Sequence, residues 1–227
     1  AGFDKEAKSY QNLFRLGFHS VEVGTVTQEP QPGNEKPRVW RAPEEQALVN
    51  AMGFPGPGQA AIAKRIAGRP PQGTLGVNLG PNKWLSAGDV PAALHDLAAT
   101  FAPMADFLTI NVSSPNTPGL RSLQTPEGAR RLVEAAKEGA GQAAPVLLKL
   151  HPDGTYEETQ AVALAALDAG VDGIIATNTT ATRTPGTQHL DRGGLSGAPL
   201  FEKALLHVAG LARVLDGRIP LMGVGGI

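Results

Sequence analysis

Short apolar runs closed by Gly, Asn or Thr recur along the chain at Val21–Val23, Leu75–Leu79, Phe107–Asn111, Val146–Leu150, Gly173–Ala176 and Ile219–Met222. Their length and their lack of strict alternation predict buried strands. Between them the apolar positions change to helical spacing, as at Leu94, Leu97, Ala98 and Phe101, or at Leu132, Ala135 and Ala136. Thr125-Pro126 supplies a cap and a first-turn proline for the second of these helices. Thr155-Tyr156-Glu157-Glu158 is a capping box opening a helix that ends near Gly170. Buried strands that each lead into a helix predict a parallel sheet covered on its outer face. A closed barrel and a doubly wound open sheet both satisfy this pattern.

The strands fall two short of a barrel's eight. However, Ala1-Gly2-Phe3-Asp4-Lys5 reads as the loop after a preceding strand, and Gly223–Ile227 as the loop before a further helix and strand. The expected fold is therefore α/β, a (β/α)8 TIM barrel fragment lacking the first and last strand regions. Residues 1–227 are read as a single, incomplete domain, and its active groups are expected on loops at the carboxyl ends of the strands. The stretch Thr25–Met52 interrupts the alternation with Pro30, Pro32, Gly33, Pro37 and Pro43, followed by a helical Glu44–Val49. It is too long for an ordinary connection and is expected to cover a site.

Composition narrows the chemistry. The 28 Gly and 19 Pro among 227 residues call for many ordered turns, and the absence of cysteine excludes disulfides, zinc–cysteine clusters, iron–sulfur centres and a thiol nucleophile. A net charge of −1 without a basic run gives no field to recruit nucleic acid. No apolar stretch reaches the roughly 18 residues of a membrane span. The five histidines form no metal-spaced pair, so metal catalysis is not expected.

Polar residues gather where the strands end: Lys5, Thr25, Asn78, Asn111, Ser113, Ser114, Asn116, Lys149, Thr177, Asn178 and Thr179. On a barrel these would share one mouth. Rich in amides and hydroxyls and poor in carboxylates, the set suits a flat heterocycle with alternating donors and acceptors. Taken singly, each Asn or Thr also has a local use in bonding turn backbone. Lys149 closes the apolar run Val146-Leu147-Leu148, where a charge is costly without a partner, although its long stem could reach solvent. Lys5, read as opening a helix, would oppose the helix dipole slightly.

The segment Asn111-Val112-Ser113-Ser114-Pro115-Asn116-Thr117-Pro118-Gly119-Leu120 resembles the catalytic loop of dihydroorotate dehydrogenases. Further matching pieces follow in family order: Ala1–Lys5, Glu22-Val23-Gly24-Thr25, Pro30-Gln31-Pro32-Gly33-Asn34, Asn50–Phe54, Gly76-Val77-Asn78, Thr177-Asn178-Thr179-Thr180, Gly193–Gly197 and Gly223–Ile227. One branch of that family carries a cysteine base in the loop and the quinone-reducing branch a serine. With Ser114 and no cysteine, this chain resembles the second.

The resemblance implies an FMN enzyme of pyrimidine biosynthesis that oxidises dihydroorotate to orotate and passes electrons to a quinone, with Ser114 as base. Thr117 and Phe54 would bound the proton path. Lys5, Asn50, Ala51, Met52, Gly53, Phe54, Asn111, Asn116, Asn178 and Thr179 would line the substrate. Ala1, Gly2, Phe3, Asp4, Lys5, Thr25, Asn78, Asn111, Lys149, Thr177, Gly197 and Gly226 would hold FMN, its phosphate on the glycine turns. The branch is known for an amino-terminal helical extension, outside this sequence, that touches membrane and admits quinone. In a bacterium this implies a peripheral place on the cytoplasmic side of the cell membrane. Two departures stand out: Ala51 where Arg is common, and His151 where a small residue is expected, on the same side as Lys149 if the strand continues. A non-catalytic phosphate- or nucleotide-binding barrel and a flavin barrel acting on dihydrouracil are the alternatives.

Overall fold

The computed structural model describes residues 2–69, 72–117, 119–190 and 192–226. They divide into two compact units: residues 1–33, 54–111 and 131–147, and residues 34–53, 112–130 and 148–227. Each unit gathers segments far apart in sequence, so neither is a contiguous stretch of chain.

In the first unit β1 (Ser20–Val26), β4 (Thr74–Leu79) and β5 (Phe107–Ile110) lie side by side in that order and run parallel, with Gly24 opposite Asn78 and Asn78 opposite Thr109. Leu75, Val77 and Leu79 alternate with Gly76 and Asn78 along β4, yet nearly every position is buried. A strand covered on both faces loses the polar half of the usual pattern. Leu94, Leu97, Ala98 and Phe101 of α3 (Val90–Phe101) are fully buried, at the positions marked by the helical spacing. Phe107 lays its ring over Gly76, where a Cβ would collide with it. The first helix, α1 (Tyr10–Arg15), has no cap from its own N-cap residue. Asp4 supplies it instead, accepting the Lys8, Ser9 and Tyr10 amides at 2.7–3.0 Å. Because that helix starts at Tyr10, Lys5 lies outside it, and the dipole argument for Lys5 falls away.

In the second unit the last three residues of β6 (Val146–Leu150), then β7 (Gly173–Ala176) and β9 (Leu221–Gly223), lie in that order, with β7 and β9 parallel. The capping box of α5 (Tyr156–Asp168) forms as expected, with Thr155 and Glu158 bonding reciprocally, and Gly170 adopts φ +82° just past the helix end. Thr125 accepts the Gly128 amide at the start of α4 (Pro126–Ala140), as its sequence position implies.

The expected helix Glu44–Val49 does not form. Residues 43–46 make a turn joining two antiparallel strands, β2 (Val39–Ala42) and β3 (Ala47–Asn50), and β3 pairs on its other side with β8 (Gly194–Gly197). Ala47, Val49 and Leu195 build a small core there with Trp40, Ala42 and Leu190. The partner strand lies some 150 residues downstream, so local helical spacing was overridden by a distant pairing.

Gly24 has φ +103°, and a Cβ on it would lie 2.7 Å from the Asn78 carbonyl oxygen and 2.8 Å from the Val26 nitrogen. Gly24→Ala is therefore expected to destabilise the protein by about 1–3 kcal/mol, from the left-handed penalty and overpacking together. Chemical denaturation checks this, and an unchanged midpoint would show that the backbone relaxes freely there.

Candidate active site

The strand-end residues of the first unit form one bonded network. Along β1, β4 and the chain following β5, Glu22, Asn78, Thr109 and Asn111 occupy positions of matching parity, so they stand on one face of the sheet. Thr25 Oγ1 donates to Asn78 Oδ1 at 2.6 Å, and Asn111 Nδ2 donates to Asn78 Oδ1 at 3.0 Å and to Thr25 Oγ1 at 3.1 Å. Asn78 Nδ2 in turn donates to Glu22 at 2.9 Å, and Thr109 Oγ1 to the other Glu22 oxygen at 2.8 Å. An ionised carboxylate only accepts, so Glu22 fixes which end of the Asn78 amide faces Thr25 and Asn111. In the sequence Glu22 appears only within the piece Glu22-Val23-Gly24-Thr25, with no site role, although a carboxylate inside Val21-Glu22-Val23 carries the same signal as Lys149 at the end of its apolar run.

Elsewhere in this unit, Lys5 Nζ approaches Gly2, and the Asp4 carboxylate is occupied in capping α1. Phe3 is exposed, and Ala1 lies outside the described residues. Phe54, with φ +51°, is anchored by Gln31 Nε2 donating to its carbonyl at 2.9 Å. Gly80 leaves the space beside the Phe54 ring and the Thr25 methyl, where its Cβ would lie 3.1 Å and 2.6 Å from them.

In the second unit Ser114 and Thr117 are buried in the loop after β5. Ser114 Oγ accepts the Asn116 amide at 3.2 Å, and Asn116 Nδ2 donates to Asn50 Oδ1 at 3.1 Å. Asn34 Nδ2 holds the Asn116 carbonyl at 3.0 Å. Asn116 Oδ1 is buried and has no hydrogen-bond partner among the described residues. Asn178 donates to Ser113 Oγ at 2.8 Å and accepts the Thr179 amide at 2.8 Å. Ala51 and Met52 contribute backbone bonds, to the Arg38 carbonyl and from the Asn34 amide. Gly53, at φ +66°, leaves room for the Asn34 side chain.

Lys149 is 8% exposed, and among the described residues its ammonium meets no carboxylate or other acceptor. The side chain is largely buried while its ammonium keeps access to the surface, which suits an anionic ligand seated there. Thr177 is buried, its amide bonded to the Val224 carbonyl. Gly197 (φ +96°) and Gly226 (φ +81°) both sit against backbone that a Cβ would strike.

β6 ends at Leu150, so the parity linking His151 to Lys149 does not apply. His151 instead lines a cavity of about 390 Å³ with Gln124, Leu150, Glu158, Thr159 and Val162. Burial, together with Arg121 and His207 nearby, pushes its imidazole down to about 4 against the opposing pull of Asp153 and Glu158. Burial also lowers His207, whose Nε2 lies 2.9 Å from the Pro152 carbonyl.

The dihydroorotate dehydrogenase family model matches residues 1–227. The chain belongs to that family. Two curated relatives carry the name dihydroorotate dehydrogenase (quinone). That of Rhodospirillum rubrum is 46% identical over 100% of this chain and 64% of its own length, and that of Streptomyces griseus is 45% identical over 100% and 65%. The chain thus spans just under two thirds of these relatives. Among solved structures, DHODH of Eimeria tenella in complex with ferulenol superposes with TM-score 0.92 at 33% identity over 100% of this chain and 68% of that one. The ligand-free form gives 0.93 at 33% identity, over 100% and 71%. The strands and helices described above are accordingly those of a fragment of a (β/α)8 barrel, as the strand count implied.

A titration follows from the His151 environment. Its folded value near 4 lies below the ordinary 6.5, so the unfolded chain takes up the proton first as pH falls, and stability drops between about 6.5 and 4. His151→Asn, which keeps an acceptor for the Asp153 amide that His151 Nδ1 now receives at 3.1 Å, is expected to lose less stability across that window. Denaturant midpoints at pH 7 and 4.5 check it, and equal losses in the two proteins would contradict it.

Proposed function

We propose that the protein oxidises dihydroorotate to orotate, with FMN as its flavin and a quinone as the final electron acceptor. The observation that carries this reading is the chain Ser114–Asn116–Asn50, in which a buried alcohol accepts the main-chain N–H of a residue whose side-chain oxygen is buried without a partner among the described residues. An unsatisfied acceptor costs about 1–3 kcal/mol, a cost that a ligand N–H removes. The pyrimidine ring of dihydroorotate offers such donors.

The residues present fit a flavin. Lys149, a largely buried side chain with no acceptor among the described residues, provides a positive charge for an electron-rich or anionic ring, and glycine at 197 and 226 suits the close approach of a phosphate to main chain. In the first unit, Thr25, Asn78 and Asn111 are held in fixed orientation by Glu22, with Gly2 and Lys5 beside them. When bound, FMN supplies the hydride acceptor.

Ser114 removes the proton next to the substrate carbonyl. An alcohol is a weak base, so the step depends on geometry and on support for the developing negative charge. The Asn116 amide, already donating to Ser114 Oγ, provides part of that support. Thr117, buried three residues on, is suited to pass the proton away. Asn50, Asn116 and Asn178 orient the ring, with Thr179 fixing the Asn178 amide. No helix among the described residues is long and apolar enough to cross a membrane. In a bacterium, peripheral contact with the cytoplasmic side of the cell membrane through an amino-terminal extension outside this sequence, giving access to quinone in the bilayer, completes the proposal.

Anaerobic addition of dihydroorotate to the flavin-loaded protein is expected to bleach the flavin. Persistent colour at saturating substrate would overturn the proposal. Ser114→Ala should keep its flavin and lose about 10²–10⁴-fold in reduction rate. An unchanged rate would remove Ser114 from the role of base.

A further inference from the structure

We infer that Arg121, locked by Asp153, is the positioning residue for Ser114. The inference rests on the proposed role of Ser114 as base. Arg121 lies on a one-turn 3-10 helix, Leu120–Leu123, and its guanidinium is occupied on three sides. Nε donates to the Ser113 carbonyl at 3.0 Å, one terminal nitrogen to the Thr179 carbonyl at 2.9 Å, and the other to Asp153 Oδ2 at 2.6 Å. The Ser113 carbonyl belongs to the peptide that carries the Ser114 nitrogen, so this bond sets the plane from which Ser114 projects. Thr179 directly follows Asn178, whose side chain bonds Ser113 Oγ. A single rigid plane therefore holds the main chain next to both Ser114 and Asn178.

The two carbonyls are neutral, and a largely buried guanidinium needs a counter-charge. Asp153 supplies it, with side chains 21% and 17% exposed for Arg121 and Asp153. The carboxylate is itself saturated. Oδ2 also accepts the Ala181 amide at 2.7 Å, and Oδ1 takes Lys203 Nζ at 2.7 Å and the Thr180 hydroxyl. Burial would raise this carboxyl, but the Ala181 amide, Lys203, Thr180 and Arg121 outweigh it and hold Asp153 well below the usual carboxylate range. Those bonds favour the charged form of Asp153 beside Arg121. Lysine cannot replace Arg121 here, because a point charge cannot reach three acceptors in one plane.

The test uses Arg121→Lys and Asp153→Asn in the flavin-loaded protein, alone and combined with Ser114→Ala. Each single variant should retain flavin and lower the limiting rate of flavin reduction by about 10- to 100-fold, the scale expected of a small misplacement, with little change in half-saturating dihydroorotate. In the Ser114→Ala background the same changes should cost almost nothing more, because the group being positioned is gone. Amide hydrogen exchange in the substrate-free protein should speed up at residues 112–117 and 178–182 and stay unchanged in β1 and β4. Equal losses with and without Ser114, or unchanged exchange in both segments, would overturn the inference. If the parent protein fails to bleach with dihydroorotate, the proposed function falls, and the exchange data still decide whether Arg121 holds the loop.

Discussion

Polar groups buried at the ends of apolar strands must find partners, and this requirement organises the whole candidate site. In the first unit it is met internally: Glu22 orients Asn78, which receives Thr25 and Asn111. The result is a set of amides and hydroxyls that cannot rotate without leaving a buried group unpaired, a cost of about 1–3 kcal/mol for each. In the second unit the same rule is met almost everywhere. His207 Nδ1 aside, the Lys149 ammonium and the Asn116 Oδ1 atom are left without partners among the described residues. The proposed function follows from what would satisfy them, an electron-rich ring beside the cation and a ring N–H beside the amide oxygen.

Rigidity in the second unit has a different source. Ser114 sits in a loop, where backbone order must come from side chains rather than from a strand ladder. The ion pair of Arg121 with Asp153 supplies that order, and Lys203 at the start of α6 (Phe201–Leu215) ties the same carboxylate to a helix. Charge-assisted bonds are the stronger kind, which suits a loop that must hold a weak base in one orientation.

The parts of the fold that depend on nearby residues are legible in the sequence alone. Strands buried on both faces announce themselves as apolar runs, and β4, β5, β6 and β7 begin and end within a residue of the expected places. The capping box at Thr155 needs only four consecutive residues and formed as read. Where the outcome depends on distant partners the reading failed: Ala47–Asn50 is a strand because Gly194–Gly197 lies beside it, and Lys5 lies outside a helix because Asp4 caps the chain further on. In the site, amides and hydroxyls were recognised from their position at strand ends and from a family motif. Arg121 and Asp153 carried no local mark, since a charged residue in a turn is ordinary until its partners are known.

The central claim is that the Lys149 ammonium and Asn116 Oδ1, which meet no partner among the described residues, are completed by ligands. A crystal structure of the protein with FMN and orotate tests it directly. Lys149 Nζ is expected within hydrogen-bonding distance of the flavin ring, and Asn116 Oδ1 within about 3 Å of a pyrimidine nitrogen. A structure in which both ligands are bound while Lys149 and Asn116 Oδ1 remain without partners would contradict the account.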